Sequence, residues 1–358
     1  MLMLTGATGH VGTALLPRLA TGGTQVLCLI RARDPQHLAE RLERLLAKSG
    51  ADPASVEAVA GDVSAPELGL GAADRARVLA EVDQILHSAA SVRFDMPASD
   101  AAEKNIGSTE NMLALCRAIG PRLRRYDHVS TCYVAGDRLG RVYEHECDEG
   151  QGFRNSYEWS KCQSEQRVRA AGEQGLPICI HRPAIVVGDS ASGETESFNV
   201  LYWPLKLYVR GWWRTFPGSP EARCDIVPVD WVAEVIARLS RDERAVGRCF
   251  HVAVGDAAPT VKELVDRTRE VLGGKPLRYV DQGRYVRFVR PAMKPLMNLT
   301  RRGRTIRRGG DAFLPYFSGN PIFDTSGCEE LLPDLPPPPV MDYLDRILRF
   351  AAEKDFGG

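Results

Sequence analysis

The sequence begins Met1-Leu2-Met3-Leu4-Thr5-Gly6-Ala7-Thr8-Gly9-His10-Val11-Gly12. A short apolar run leads into three glycines spaced three residues apart, and a helix-like segment follows from 13 to 20. In a strand–turn–helix unit, Gly6 permits the turn, Gly9 lets the backbone approach a phosphate, and Gly12 lets the helix pack closely on the strand. Glycine turns are common, but the position of this one, between an apolar strand and a helix, predicts a dinucleotide pyrophosphate site.

The composition limits the classes of protein to consider. The 358 residues include 46 basic and 46 acidic side chains, and this balance argues against a nucleic-acid binder. No apolar run approaches the roughly 20 residues that span a bilayer, and the chain is expected to lack a signal peptide because it opens directly on a strand. The nine cysteines form no CxxC pair and no cluster with histidine, which indicates reduced thiols, a cytoplasmic protein and no metal site.

Short apolar runs alternate with helical patterns through the first 255 residues. Such alternation predicts an α/β fold of the Rossmann type, a doubly wound parallel sheet with sites at the carboxyl ends of its strands. A smaller, mixed but mainly helical substrate domain is expected after it. We place the NADP-binding domain at 1–189, with 223–255 returning to it, and the substrate domain at 190–222 and 256–358.

The second apolar run, 25–30, ends in Arg31-Ala32-Arg33-Asp34-Pro35. Arginines at this strand end favour the additional phosphate of NADP, although they are also compatible with an ordinary surface. Asp34 before a proline is better explained as a helix N-cap than as an acid that binds a ribose. Asp62 and Val63, which follow the third run, could meet the adenine or form a plain turn. Small residues at 88–90 could let the backbone lie under the cofactor or simply pack tightly.

Three later segments carry candidate chemistry. The fifth run ends in Ser130 and Thr131, which offer hydroxyls at the expected substrate position. Tyr157 and Lys161 are four residues apart and so share a helix face. A nearby ammonium would lower the pKa of the Tyr157 phenol and make it a proton donor and acceptor near neutrality. Pro183, just past the sixth run, suits a loop that closes over a nicotinamide.

These residues resemble the extended short-chain dehydrogenase/reductase superfamily, and within it the fatty acyl reductases and thioester reductase domains. The matching segments cover roughly residues 4 to 255 and are TGATGHVG (5–12), HSAASVRFDMP (87–97), NIGST (105–109), HVSTCYVAG (128–136), NSYEWSKCQSE (155–165), RPAIVVG (182–188) and DIVPVDWVA (225–233). Two positions depart from the family pattern. His10 stands where the family usually has an aromatic residue, and Cys132 where it often has alanine.

The resemblance implies a role for each matching residue. Thr131 would hydrogen-bond the substrate carbonyl, with Ser130 the less favoured neighbour, Tyr157 would be the general acid, and Lys161 would hold the nicotinamide ribose. The residues implied to contact the cofactor are Gly6, Thr8, Gly9, His10, Val11 and Gly12 at the pyrophosphate, Arg31 and Arg33 at the 2′-phosphate, Asp62 and Val63 at the adenine, and Ser88, Ala89, Ala90, Pro183 and Ile185 along the remainder.

Two segments outside these motifs bear on the substrate. An aromatic-rich insert at 190–224 would suit an apolar acyl pocket or could simply be core. Residues 284–308 carry nine arginines and lysines and no acid. This basic run could dock an acidic carrier protein, bind coenzyme A phosphates, lie against an anionic membrane surface, or form a solvated positive face.

The sequence therefore predicts an NADPH-dependent oxidoreductase that reduces an acyl thioester, carried by coenzyme A or an acyl carrier protein, to an aldehyde and further to an alcohol if a second hydride follows. The alternatives are a sugar-nucleotide epimerase or dehydratase, a hydroxysteroid-type dehydrogenase, and a non-catalytic nucleotide sensor. Arg31 argues against the NAD-dependent enzymes, and the intact Thr131, Tyr157 and Lys161 argue against a sensor.

Overall fold

A computed structural model describes residues 1–198, 200–212, 215–289, 291, 303, 316 and 321–357. The strands of this part are β1 (Leu2–Thr5), β2 (Val26–Ile30), β3 (Val56–Ala60), β4 (Gln84–His87), β5 (Arg125–Val129), β6 (Gly140–Val142), β7 (Ile178–Pro183), β8 (Ile185–Val187), β9 (Thr215–Pro217), β10 (Ile226–Pro228), β11 (Cys249–Val252), β12 (Arg278–Val280) and β13 (Pro321–Phe323). Its α-helices of four or more residues are α1 (His10–Leu19), α2 (Pro35–Ser49), α3 (Ala72–Glu81), α4 (Ala98–Ala101), α5 (Ser108–Ile119), α6 (Ser156–Glu173), α7 (Tyr202–Val209), α8 (Val229–Leu239), α9 (Val261–Leu272), α10 (Ser326–Leu331) and α11 (Val340–Glu353).

Seven strands form one sheet in the order β11-β7-β5-β4-β1-β2-β3, and every neighbouring pair is parallel. The chain runs outward from β1 through β2 to β3, then crosses back to β4 and runs outward on the other side. The strand order therefore reverses between β1 and β4, and ligands of such sheets bind in the crevice outside the carboxyl ends at this point. The predicted doubly wound parallel sheet is confirmed.

Both faces of the sheet are buried. Leu2 and Leu4 of β1 enter one core together with Leu15 of α1, whereas Met3, between them, enters a second core together with Met112 of α5. Because side chains of a strand alternate between its faces, a strand buried on both sides appears in the sequence as an uninterrupted apolar run. Helices α1, α2 and α8 pack together, and so do α5 and α6.

The predicted elements are mostly present, with shifted boundaries. Asp34 caps α2 by accepting the His37 N–H at 2.8 Å, with Pro35 at the first helical position. A π-helical segment, Ala102–Gly107, lies between α4 and α5. The prediction that Pro183 lies in a loop past a strand end is wrong. Pro183 is the last residue of β7, and β8 follows after one residue, because β11 and β10 supply further strand pairing.

Candidate active site

A single cleft lies over the carboxyl ends of β1, β4, β5 and β7. The predicted site residues that line it are Gly6, Thr8, Gly9, His10, Val11, Gly12, Ser88, Ala90, Thr131, Tyr157, Lys161, Pro183 and Ile185. Ala89 lies directly beneath the glycine turn, since a Cβ built on Gly6 would come within 2.6 Å of its backbone nitrogen. The topology thus brings together segments that are up to about 180 residues apart in the sequence.

The glycine loop fits a dinucleotide pyrophosphate. Gly6 has a φ of +75°, which favours glycine, and a Cβ on Gly12 would lie 2.0 Å from the Gly6 carbonyl oxygen. Helix α1 begins after Gly9, has no side-chain N-cap and has no acidic residue in its first turn. Its first N–H groups and the positive end of its dipole are therefore available to an anion.

His10 ties this loop to the next strand pair. Its Nε2 lies 3.0 Å from the carbonyl oxygen of Val187 in β8. Burial lowers the pKa of His10, and this outweighs the opposing effect of the backbone bond, so the ring is neutral at pH 7 and donates to Val187 from Nε2. The histidine at this position thus replaces an aromatic packing contact by a hydrogen bond across the cleft.

The residues predicted for the adenosine end lie at the ends of β2 and β3, beyond the lining of the cleft. Arg31 and Arg33 are exposed, and neither side chain forms an ion pair with a described residue. Asp62 accepts the Ser64 N–H at 2.9 Å and so caps its own turn. Sequence reasoning missed Arg41, whose guanidinium donates to the Arg31 carbonyl at 2.6 Å and adds a third cation to this strand end. Arg41 follows Arg31 by ten residues, and this spacing, one strand end plus two turns of α2, could have predicted the contact.

Thr131 and Tyr157 both line the cleft, and the Thr131 hydroxyl favours the charged form of the Tyr157 phenol and so acts to lower its pKa. Thr131 begins a short 3₁₀ turn, Cys132–Ala135, in which it accepts the Tyr133 N–H at 3.2 Å, and its hydroxyl lies 3.3 Å from the Pro183 carbonyl oxygen. Tyr157 lies in the first turn of α6, whose N-cap is Asn155. The two hydroxyls therefore form a pair at the substrate side of the cleft.

The prediction that Lys161 lowers the pKa of Tyr157 is wrong. Burial raises the pKa of Tyr157 to about 12, and the nearby Thr131 hydroxyl offsets this rise only in part. The Lys161 ammonium instead donates to the Val129 carbonyl at 2.7 Å and lies 3.4 Å from Nε2 of His128. Four-residue spacing put both side chains on one helix face as expected, but the flexible lysine stem carries its charge to the end of β5.

Lys161 is almost fully buried, and burial lowers its pKa to about 8, with Glu165 opposing the shift. Burial and the adjacent ammonium hold the pKa of His128 well below its usual value, so the imidazole is neutral and accepts from Lys161. Its Nδ1 lies 3.2 Å from the Tyr126 hydroxyl. The Lys161 ammonium is thus held by uncharged, buried groups beneath the cleft.

An aromatic wall, formed by Phe94, Tyr133 and Tyr316, closes the substrate side of the cleft and was not predicted. The Phe94 ring lies 5.6 Å from Tyr157 and stacks at 5.7 Å on Tyr316, which meets Tyr133 edge-on at 5.1 Å. The Tyr316 hydroxyl accepts from the Asn155 side-chain amide at 2.8 Å. No local pattern pointed to Tyr316, because its contacts are to residues about 160 to 220 positions earlier in the sequence.

A buried cluster of Asp127, Cys179 and His181 lies within the sheet, with its potential ligand atoms within 4.8 Å of one another. The Asp127 carboxylate is already engaged by the Arg125 guanidinium at 3.0 Å and by His181 Nε2 at 2.9 Å. A metal ion here would face the positive charge of Arg125. The contacts are therefore those of a core ion pair.

The remaining predictions concern the second part of the chain. An apolar pocket lies between α7 and α9, lined by Leu201, Pro204, Leu205, Tyr208, Phe216, Val261, Leu264, Val265 and Leu277. Of the basic run 284–308, only Arg284 and Arg287 among its nine cations are described, and the other seven lie outside the described residues. Within the ranges that the structure describes, no helix combines the length and apolarity needed to cross a membrane.

Together, the seven parallel strands, the glycine turn and the Thr131–Tyr157–Lys161 set define an extended short-chain dehydrogenase/reductase. Residues 4–236 match the family model of an NAD-binding domain described as "Male sterility protein". The chain belongs to this family, which includes fatty acyl reductases and thioester reductase domains.

Individual relatives agree with this assignment. The chain is 30% identical to a non-canonical nonribosomal peptide synthetase of Aspergillus campestris over 73% of this chain and 26% of that protein. It is 29% identical to a fatty acyl-CoA reductase of Drosophila melanogaster over 67% of this chain and 54% of the relative. The terminal R domain from the myxalamid PKS-NRPS biosynthetic pathway superposes with a TM-score of 0.80 at 26% identity, covering 99% of this chain and 91% of that domain. The chain thus spans only a quarter to about half of these curated relatives.

Proposed function

We propose that this protein is an NADPH-dependent reductase of acyl thioesters. The observation that carries the proposal is the shared cleft, which Thr131, Tyr157 and Lys161 line together with the glycine loop. In this proposal 1–189 and 223–255 bind the cofactor, and 190–222 and 256–358 bind the substrate.

The arginines at the end of β2 support NADPH over NADH. Arg31, Arg33 and Arg41 present three cations where the ribose 2′-phosphate of NADP would lie, and the acid nearby, Asp34, is used as a helix cap. Asp62 and Val63 would meet the adenine, and Ser88, Ala89, Ala90, Pro183 and Ile185 would line the nicotinamide half.

When bound, NADPH supplies the hydride for the thioester carbonyl carbon. The residues of the chain then act on the carbonyl oxygen and on orientation. Tyr157 is protonated at neutral pH and donates to the oxygen as negative charge develops on it, and Thr131 fixes the Tyr157 hydroxyl. Lys161 holds the ribose hydroxyls. The hemithioacetal so formed expels the thiol, so that one thioester, one hydride and one proton yield one aldehyde and one thiol.

The acyl part of the substrate would be apolar. The aromatic wall and Val92 line the outer cleft, and the pocket between α7 and α9 is lined by apolar side chains. The name of the fly relative specifies a fatty acyl-CoA, which is a thioester. The thiol carrier would be coenzyme A or an acyl carrier protein, and the basic run 284–308 would meet its phosphates or acidic surface.

The test is NADPH oxidation by the purified protein, with a long-chain acyl-coenzyme A, the same acyl group on a carrier protein, and the matching aldehyde as separate substrates. Turnover of a thioester with stoichiometric release of free thiol is expected, and aldehyde turnover would add a second step to the alcohol. Failure on all three substrates, together with tightly retained NAD, would reject the proposal in favour of an epimerase or dehydratase.

A further inference from the structure

The fold brings together two cysteines that no sequence motif pairs. Cys147 lies between β6 and α6, Cys162 lies within α6, and their Sγ atoms are 3.8 Å apart. All nine cysteines lie in the described part of the chain, and among them Cys147 is the one that is partly exposed, whereas Cys162 is fully buried. A partly exposed thiol with a second thiol in contact is the arrangement in which an oxidised sulfur is resolved as a disulfide.

Contacts on either side of Cys147 hold its segment on α6. The Arg169 guanidinium donates to the Glu144 carbonyl at 3.0 Å, and the Gln166 side-chain amide donates to the Asp148 carboxylate at 2.9 Å. Gln166 and Arg169 follow position 162 by four and seven residues, so all three positions share one face of the helix. The two sulfurs are therefore neighbours because the whole segment is bound along this face.

A bond between the sulfurs needs only a small movement. A disulfide is about 2.05 Å long, so the two sulfurs must approach each other by roughly 1.8 Å. Cys162 follows Lys161 in a part of α6 where Glu165 is fully buried and ion-paired with Arg182 at 2.6 Å. Cys147 lies in a partly exposed segment, so this segment rather than the helix makes the movement.

We propose that Cys147 and Cys162 form a redox modification site, which a hydroperoxide converts to a disulfide. With hydrogen peroxide, the Cys147 thiol is oxidised to a sulfenic acid and one water is released. The Cys162 thiol then forms the sulfur–sulfur bond and displaces a second water. Two thiols thus lose two electrons and two protons, and one peroxide is reduced to two waters. The proposal does not depend on the thioester reaction.

The disulfide would close a covalent ring that contains Asn155, the N-cap of α6, together with Tyr157 and Lys161. A ring of this length restricts the unfolded chain and so stabilises the folded protein. The hydrogen bond to Cys162 and burial raise the pKa of the Cys147 thiol, so this thiol is protonated at neutral pH and reacts slowly. The site is therefore a cross-link that forms under sustained oxidation.

The experiment incubates the purified protein with hydrogen peroxide for several hours, alkylates the remaining thiols in denaturant and maps the peptides by mass spectrometry. A linked peptide that joins positions 147 and 162, lighter by two hydrogens than its two parts, is expected. The melting temperature should rise by roughly 5 °C and return to its initial value with dithiothreitol. Methionine sulfoxide is not reduced by this thiol, so the reversal isolates the disulfide.

Cys147→Ser should give no linked peptide and no rise in melting temperature, whereas Cys116→Ala, at a buried cysteine of α5, should behave as the wild type. The dithiothreitol reversal uses the wild type alone and decides the question even if a variant does not fold. Sulfinic acid at Cys147 without the link, a link between other cysteines, no oxidation at all, or a link without a higher melting temperature would each overturn the proposal. A protein that forms the link but reduces no thioester overturns the proposed function and leaves this inference standing.

Discussion

The burial of Lys161 predicts a basic limit to activity. Burial lowers the pKa of this ammonium to about 8. A group with this pKa is about nine-tenths protonated at pH 7 and about one-tenth protonated at pH 9, so kcat/KM for the thioester should fall about tenfold between these values if the charge is needed. Tyr157 does not obscure the limb, because its pKa is raised to about 12 and the phenol stays protonated throughout.

The assay is kcat/KM at saturating NADPH from pH 6 to pH 9.5 in buffers of constant ionic strength. Lys161→Met should abolish the limb by removing the titrating group, leaving a low and flat profile. Lys262→Met is the control, because Lys262 is an exposed lysine of α9 paired with Asp266, and it should keep the wild-type profile. A wild-type profile that stays flat to pH 9.5, or a limb that survives in Lys161→Met, would refute the assignment.

Stability should change in the opposite direction over the same pH window. The pKa of Lys161 falls from 10.5 to about 8 on folding, so the unfolded chain binds more protons between these values, and the free energy of unfolding from this group rises with pH by about 3 kcal/mol. Below pH 8 both states are protonated and the full cost of the buried charge is present. The difference in unfolding free energy between Lys161→Met and the wild type should therefore shrink as pH rises from 8 to 10, which denaturant titrations can measure.

Three further predictions concern the rest of the cleft. Gly12→Ala would place a Cβ 2.0 Å from the Gly6 carbonyl oxygen and should weaken NADPH binding by calorimetry at least about tenfold, whereas Gly71→Ala, with its nearest atom at 3.9 Å, should not. The double variant Arg31→Ala, Arg33→Ala should weaken the binding free energy of NADPH by about 1–3 kcal/mol and leave that of NADH nearly unchanged. An equal loss for both cofactors would contradict the 2′-phosphate role. Tyr316→Phe removes the hydrogen bond from Asn155 and should cost about 1–2 kcal/mol of unfolding free energy while raising the KM for the thioester, and an unaltered KM would exclude the Tyr316 hydroxyl from substrate binding.

The glycine loop and the strand ends beside it could be predicted because their signals are local. The glycine spacing, the Asp34–Pro35 cap and the alternating apolar runs each depend on a few consecutive residues, and parallel topology then places the strand ends along one edge. The resemblance added roles for Thr131, Tyr157 and Lys161 that spacing by itself does not establish.

The substrate half depends on packing between distant segments. Tyr316 meets Phe94 across more than 200 positions, and no local pattern of the sequence shows that these two rings stack. The contact of Arg41 could have been predicted from the sequence, because the second turn of a helix that begins at Pro35 lies near the end of β2. The failed expectation for Pro183 has the same origin, since the pairing with β11 that extends β7 lies about 70 residues downstream.

The pKa prediction for Tyr157 failed because of where the charge of Lys161 lies. Helical spacing fixes the face of α6 that carries Lys161, but it does not fix the position of Nζ at the end of the four-carbon side chain. In the structure Lys161 Nζ contacts the Val129 carbonyl and His128. With its charge held there, burial dominates at Tyr157 and favours the neutral phenol. An oxidation of an alcohol would need Tyr157 as a base in its phenolate form, whereas a carbonyl reduction needs the protonated form. In the unliganded cleft Tyr157 is therefore a protonated phenol, the form that the proposed thioester reduction requires.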